Sequence, residues 1–254
     1  MQIAMTNGIQ AGTVHYPAAD GAQIEAYLAV PQDSADGPRG GVVLIHHLPG
    51  YDEATREFAR TFAVHGYNAV VPNLYSREGG PGIAPEDAAA AVRAEGGVPD
   101  ERLIADVGTA AAYLRGLETA NGKVGVIGHC SGGRQALLVA CAGLDLQAAV
   151  DNYGAFVMLD SPEGSGMRAT SLESRLPELS CPLLGNFGAD DKFPSPEQTA
   201  QLAAVLDKLG KPYDFKTYEG AGHAFFNVNR TSYRPEAAMD AWDRIFEFYG
   251  THLS

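Results

Sequence analysis

Gly128-His129-Cys130-Ser131-Gly132-Gly133 joins a short apolar run at 124–127 directly to an apolar helical pattern. A strand that ends in G-x-nucleophile-x-G and turns at once into a helix makes a nucleophile elbow. The glycines let the backbone pack around a strained turn, and the central side chain projects into open space. Cys130 holds that central place. The helix N-terminus behind it presents unpaired N–H groups and a partial positive charge, which favours thiolate, the nucleophilic form. For Ser131 to be the nucleophile, position 129 would have to be glycine, and it is His129. Cys141 and Cys181 fall inside apolar helix and strand patterns and read as core.

A thiolate that attacks an acyl carbon needs a base, and the base needs a carboxylate to orient it. Behind an elbow of this kind the chain order is nucleophile, acid, histidine. GNFGADDKFPS places Asp190 and Asp191 after a strand, and both are candidates for the acid. YEGAGHAFFN places His223 in a Gly-rich loop after the last strand. All three stations then lie at strand carboxyl ends, the edge where open α/β sheets bind ligands.

A sheet must hold those stations. Residues 13–31 read as two strands joined through Asp20-Gly21, a hairpin signal. GGVVLIHH (40–47) is a buried strand closed by Pro49-Gly50. Residues 52–66 read as a helix, with Phe58 and Phe62 one turn apart and Gly66 ending it. His65, in its last turn, suits the helix dipole. Further strands are expected at 68–75, 123–127, 146–154, 181–188 and 212–220. Helices are expected at 100–117, from 131 onward, at 195–210 and at the C-terminus. Ser195, Pro196 and Gln198 form a helix-start signal. The last helix carries Ala238, Trp242, Ile245 and Tyr249 on one face. Residues 76–99 hold five glycines and three prolines and read as loop with at most a short helix. Alternating buried strands and amphipathic helices imply an α/β protein: a mostly parallel sheet, helices on both faces, opened by an antiparallel hairpin. With no repeat, low-complexity tract or linker, residues 1–254 are expected to form one domain.

Taken together, the stations resemble the dienelactone hydrolase family (carboxymethylenebutenolidases), α/β hydrolases with a Cys-Asp-His triad. HGYNAVVPNLYSR, NGKVGVIGHCSGG, GADDKFPSPEQ and YEGAGHAFF are all close to that family's pattern, and the resemblance covers nearly the whole chain. It implies the α/β-hydrolase fold, with Cys130 as nucleophile, His223 as general base and Asp191, spaced G-x-x-D from Gly188, as the acid. It also implies an oxyanion hole built from the backbone N–H groups of Leu48 and Ser131. The chain departs from the family pattern at two places. HHLPG puts His47 where the family typically has a glutamate touching the resting nucleophile, so His47 is expected beside the sulfur, favouring its charged form. Asn227 stands four residues past His223, where dienelactone-binding members use an arginine for the substrate carboxylate. Arg230 and Arg134 lie nearby in sequence. The expected substrate is therefore a small-molecule carboxylic ester, thioester or lactone, not dienelactone in particular. His46, Tyr153 and Tyr75 join His47 as expected pocket residues.

Bulk properties narrow the classes further. A chain of 254 residues, 45% hydrophobic and 19% charged, suits a compact enzyme. A net charge of −13 disfavours nucleic-acid phosphates and anionic membranes as partners. No apolar run approaches the ~20 residues of a membrane span. MQIAMTNGIQ lacks the basic-then-apolar pattern of a secretory signal. Three cysteines without close pairs point to a reducing compartment, expected to be the cytoplasm. No CxxC, HExxH or Cys/His cluster has metal-ligand spacing, so no metal or cofactor is expected. A monomer or small homo-oligomer is the expected state. Two other classes stand beside the hydrolase: a ligand-binding or thiol-sensing protein, which would need Cys130 but neither His223 nor Asp191, and a lyase or transferase using His46 and His47 as extra acid and base.

Overall fold

The computed structural model of the chain describes residues 8–32, 37–79, 83–164 and 168–254. Its centre is one eight-stranded sheet in the order β1-β2-β4-β3-β5-β6-β7-β8. The strands are β1 (Ile9–Pro17), β2 (Gln23–Pro31), β3 (Arg39–Ile45), β4 (Asn68–Pro72), β5 (Ala120–His129), β6 (Ala148–Asn152), β7 (Leu183–Gly188) and β8 (Tyr213–Tyr218). The β1–β2 hairpin is antiparallel and turns at Asp20-Gly21, and β2 pairs antiparallel with β4. From β4 to β8 every pairing is parallel.

The strand sequences dictate two apolar faces. In β3 all seven residues are buried, and successive side chains point to opposite sides. Val42 and Leu44 pack with Phe62 of α1 (Glu53–Val64) and with Ala241, Ile245 and Tyr249 of α7 (Pro235–His252). Val43 and Ile45 pack on the other face, with α3 (Pro85–Ala94), α4 (Asp100–Arg115), α5 (Ser131–Ala140) and α6 (Pro196–Leu209). Helix α6 starts on the expected capping box, Ser195 with Gln198, and ends at Gly210 in the left-handed conformation. His65 stacks flat on Phe246, ring centroids 3.7 Å apart.

Two expectations about boundaries change. Residues 76–99, read as loop with at most a short helix, contain two helices, the short α2 (Ser76–Gly79) and the ten-residue α3. Helix α3 forms because Pro85 sits at its start, Glu86 and Asp87 occupy its first turn, and four consecutive alanines follow. Its buried face is Ala88, Ala89 and Val92, too small to give a strong apolar period. Strand β4 stops at Pro72 instead of running to 75. The chain turns there, with the Ser76 N–H donating to the Asn73 carbonyl. No helix among the described residues is long and apolar enough to cross a membrane.

Candidate active site

The sheet reverses its order of winding between β3 and β5, and such a switch point opens a crevice at the strand carboxyl ends. Ile45 pairs with Gly128 across that boundary. The loop after β3, which carries His46, His47 and Leu48, therefore lies against the turn after β5, which carries Cys130 and Ser131. On the far side Gly188 of β7 pairs with Tyr218 of β8, so the loops bearing Asp191 and His223 also leave the sheet side by side.

Cys130 adopts φ +57°, ψ −123°, a conformation that costs a non-glycine residue of order 1–3 kcal/mol. Its surroundings hold it there. The Cys130 N–H donates to the Asn152 carbonyl at 3.0 Å, and the Cys130 carbonyl accepts from Gly133 at 3.0 Å. Three glycines permit the turn by their lack of bulk. A Cβ on Gly128 would lie 1.9 Å from the Gly132 carbonyl oxygen; one on Gly132, 2.3 Å from that of Ile45; one on Gly133, 2.3 Å from Asp151 Oδ1.

His223 Nδ1 is 2.8 Å from Asp191 Oδ2, and that carboxylate is buried with its side chain only 2% exposed. The other Asp191 oxygen accepts the Phe193 N–H at 2.9 Å. Burial alone would lower the His223 pKa. The hydrogen bond to Asp191 and the neighbouring Cys130 sulfur outweigh it and carry the value up to about 10. Asp190, the alternative acid, is exposed on the loop. Cys141 and Cys181 are core residues whose thiols are pushed up to about 12 by burial. Cys130 is the half-buried cysteine.

The sulfur borders two spaces. A narrow cleft of about 80 Å³ is lined by Cys130, Leu48, Ser131, Tyr75, Phe156 and Arg134, with Arg168 at its rim. Among the described residues the N–H groups of Leu48 and Ser131 donate to no other group, so both are free to face an oxyanion in that cleft. Tyr75 fixes the loop by donating its hydroxyl hydrogen to the Leu48 carbonyl at 3.1 Å. The second space, about 220 Å³, is lined by Cys130, His223, His47, Tyr153, Asn227 and Arg230, among others. Tyr153 is buried at φ +45°, its hydroxyl 3.2 Å from His129 Nδ1 and its ring 5.2 Å from that of His223.

The paired histidines part company. His46 lines neither space: its Nε2 accepts the Leu74 N–H at 3.2 Å, and burial drops its pKa to about 4. It braces the turn after β4. His47 lines the larger cavity, but its Nε2 is held by Asp52 Oδ2 at 2.6 Å, a partner the sequence did not suggest. Asp52 is also the N-cap of α1, accepting from the Thr55 N–H and hydroxyl. Arg168, too, carried no sequence signal. It reaches the cleft from the long segment after β6. Among the described residues, no group of three or more His, Cys, Asp or Glu could hold a metal ion.

The sequence pattern of the dienelactone hydrolase family matches residues 24–253. The chain belongs to that family. An Escherichia coli (strain K12) protein named "Putative carboxymethylenebutenolidase" is 31% identical over 250 residues, 96% of this chain and 88% of that one. A Bradyrhizobium protein named "Probable 2-oxo-3-(5-oxofuran-2-ylidene)propanoate lactonase" is 27% identical over 90% of this chain and 89% of its own length. The crystal structure of a "Putative Dienelactone Hydrolase" from Klebsiella pneumoniae superposes with a TM-score of 0.84 at 28% identity, covering 97% of this chain and all of that one. The fold is the α/β-hydrolase fold, and the protein is a hydrolase of the dienelactone hydrolase type.

Proposed function

We propose that the protein hydrolyses small carboxylic esters or lactones through a Cys130–His223–Asp191 triad and an acyl-thioenzyme. One observation carries the reading: a cysteine held at φ +57° on the elbow, sharing its cavity with a histidine that is itself 2.8 Å from a buried aspartate. In the first half-reaction the Cys130 sulfur, its proton passed to His223, attacks the carbonyl carbon. The oxyanion takes the Leu48 and Ser131 N–H groups. The intermediate then collapses to a thioester as the leaving oxygen collects the proton from His223. In the second, water adds to the thioester carbon as His223 takes its proton, and the C–S bond breaks, returning the electron pair to sulfur. Asp191 holds His223 in the tautomer that both steps require.

The substrate class is read from the cleft. Arg134 and Arg168 line it with one carboxylate, Asp100, 3.9 Å from Arg134, so in a protein of net charge −13 it sets two cations against one anion. An acyl group bearing a carboxylate suits it, and the lactone named for the Bradyrhizobium relative carries one. A sensor that needs only the thiol leaves the His223–Asp191 pair without a role.

The test is steady-state hydrolysis of p-nitrophenyl acetate and a panel of neutral and carboxylate-bearing lactones, with trapping of the adduct on acid quench. Acyl groups should be recovered on Cys130. Turnover in Cys130→Ala, or an adduct elsewhere, would overturn the reading.

A further inference from the structure

The cavity beside Cys130 is lined by a second imidazole that is hydrogen-bonded to a carboxylate of its own. His47 and His223 both line it, and each is fixed by its own aspartate, at 2.6 Å and 2.8 Å. Asp52 is no loose surface partner. One oxygen takes the Thr55 N–H at 3.0 Å and the Thr55 hydroxyl at 2.9 Å, and the other takes His47. Burial would raise the Asp52 carboxyl, but these hydrogen bonds bring it down to about 2, so it is a carboxylate at neutral pH. A carboxylate can only accept, so His47 donates from Nε2, and in the neutral ring the lone pair is on Nδ1. Among the described residues Nδ1 has no hydrogen-bond partner. The His47 side chain is 15% exposed and lines the cavity.

A lactone gives this second pair something to do. When an open-chain ester acylates Cys130, the alcohol takes the proton from His223 and diffuses away, leaving His223 free to activate water. When a lactone acylates Cys130, the new hydroxyl stays tethered to the acyl chain beside His223. Handing its proton back closes the ring again. The cavity has room for both the hydroxyl and a water, since one water needs only ~15 Å³. The geometry points to His47–Asp52 as a second general base that activates the hydrolytic water while the tethered hydroxyl occupies His223. Water's oxygen bonds to the thioester carbon as His47 Nδ1 takes its proton. The C–S bond breaks with its electron pair returning to sulfur, the hydroxy acid departs, and His47 passes its proton to solvent. The inference rests on the acyl-thioenzyme reading above.

The experiment compares dihydrocoumarin, a lactone, with phenyl acetate, an open-chain aryl ester, in wild type and His47→Gln. A general base typically contributes ~10²–10⁴-fold where it acts alone, and here His223 remains as a partial substitute. The expected loss in kcat is about threefold on phenyl acetate and about thirtyfold on dihydrocoumarin. Acyl-enzyme should accumulate on acid quench in the variant with the lactone, and iodoacetamide should label Cys130 at the wild-type rate. Imidazole added to His47→Ala should restore lactone turnover preferentially, which a merely structural role would not give. Equal losses on the two substrates, or none, would overturn the second base while leaving the triad standing. Wild type inert toward both substrates would overturn the underlying reading instead.

Discussion

His223 lies between a buried carboxylate and a thiol, and the two contacts act against its desolvation. Because its pKa is raised on folding, the native state binds more protons than the unfolded state between about 6.5 and about 10. Stability from this group is complete below the unfolded value and is lost as pH rises through the folded one. His223→Gln should therefore flatten the fall in thermal midpoint that wild type shows between pH 7 and pH 10, as read by circular dichroism. Asp191→Asn should lower kcat by ~10²–10⁴-fold, because the amide permits the wrong imidazole tautomer. Asp190→Asn, exposed on the same loop, should stay within about twofold. The reverse ranking in a steady-state assay would shift the triad by one residue. Cys130, His223 and the Asp190-Asp191 pair could be placed at strand ends from their types, order and glycine neighbours, whereas the choice of Asp191 over Asp190 came from the family spacing to Gly188. The His47–Asp52 pair was not legible, since it depends on how the Pro49-Gly50 turn folds one residue back on the other. Nor was the inward turn of His46, which answers a backbone N–H twenty-eight positions away, at Leu74.

At the scale of elements, the β5–α5 turn is tightly constrained by its glycines. The atoms a Cβ would meet at Gly128 and Gly132 are backbone carbonyls of the turn and of β3, which cannot swing aside. Gly132→Ala should cost several kcal/mol, ~3 or more, seen as lost soluble yield or a thermal midpoint lowered by ten degrees or so. A midpoint near wild type would mean that β3 and α5 can separate. Ser195→Ala removes the side-chain half of the α6 capping box, leaving its backbone N–H on Gln198 Oε1, and should cost about 1 kcal/mol in urea denaturation, leaving activity alone. Strands and helices with strong periodicity could be read directly. Helix α3 could not, because alanine supplies helix propensity without an apolar stripe. The end of β4 was misplaced because Asn73, Leu74 and Tyr75 continue the apolar rhythm through a turn made by hydrogen bonds.

For the molecule as a whole, one buried group sets a cost that no local pattern announced. Asp151, at the end of β6, is fully buried with Oδ1 on the Gly154 N–H at 2.7 Å and Oδ2 unpartnered. Burial raises its pKa to about 7, against 3.8 for an ordinary aspartate. The native state thus holds an extra proton across that interval, and stability falls as pH rises from about 4 to about 7, with the loss complete above. Asp151→Asn keeps an acceptor for Gly154 and removes the titration. Its urea-unfolding free energy should exceed wild type at pH 8 by up to a few kcal/mol and match it near pH 4, roughly as the linkage predicts. A constant offset at both pH values would assign the effect to packing instead.

The placement of the Cys130 sulfur between a cleft and a cavity that share no other lining residue has a consequence for selectivity. The acid half of an ester would be read on one side of the sulfur and the alcohol half on the other, by walls that do not touch the same group. Contributions from non-interacting sites add. Across a grid of esters that crosses several acids with several alcohols, log kcat/KM should factor into one number per acid and one per alcohol. A mutation in either wall should rescale only its own column of numbers. A lactone, with both halves in one ring, would be the substrate for which that independence breaks.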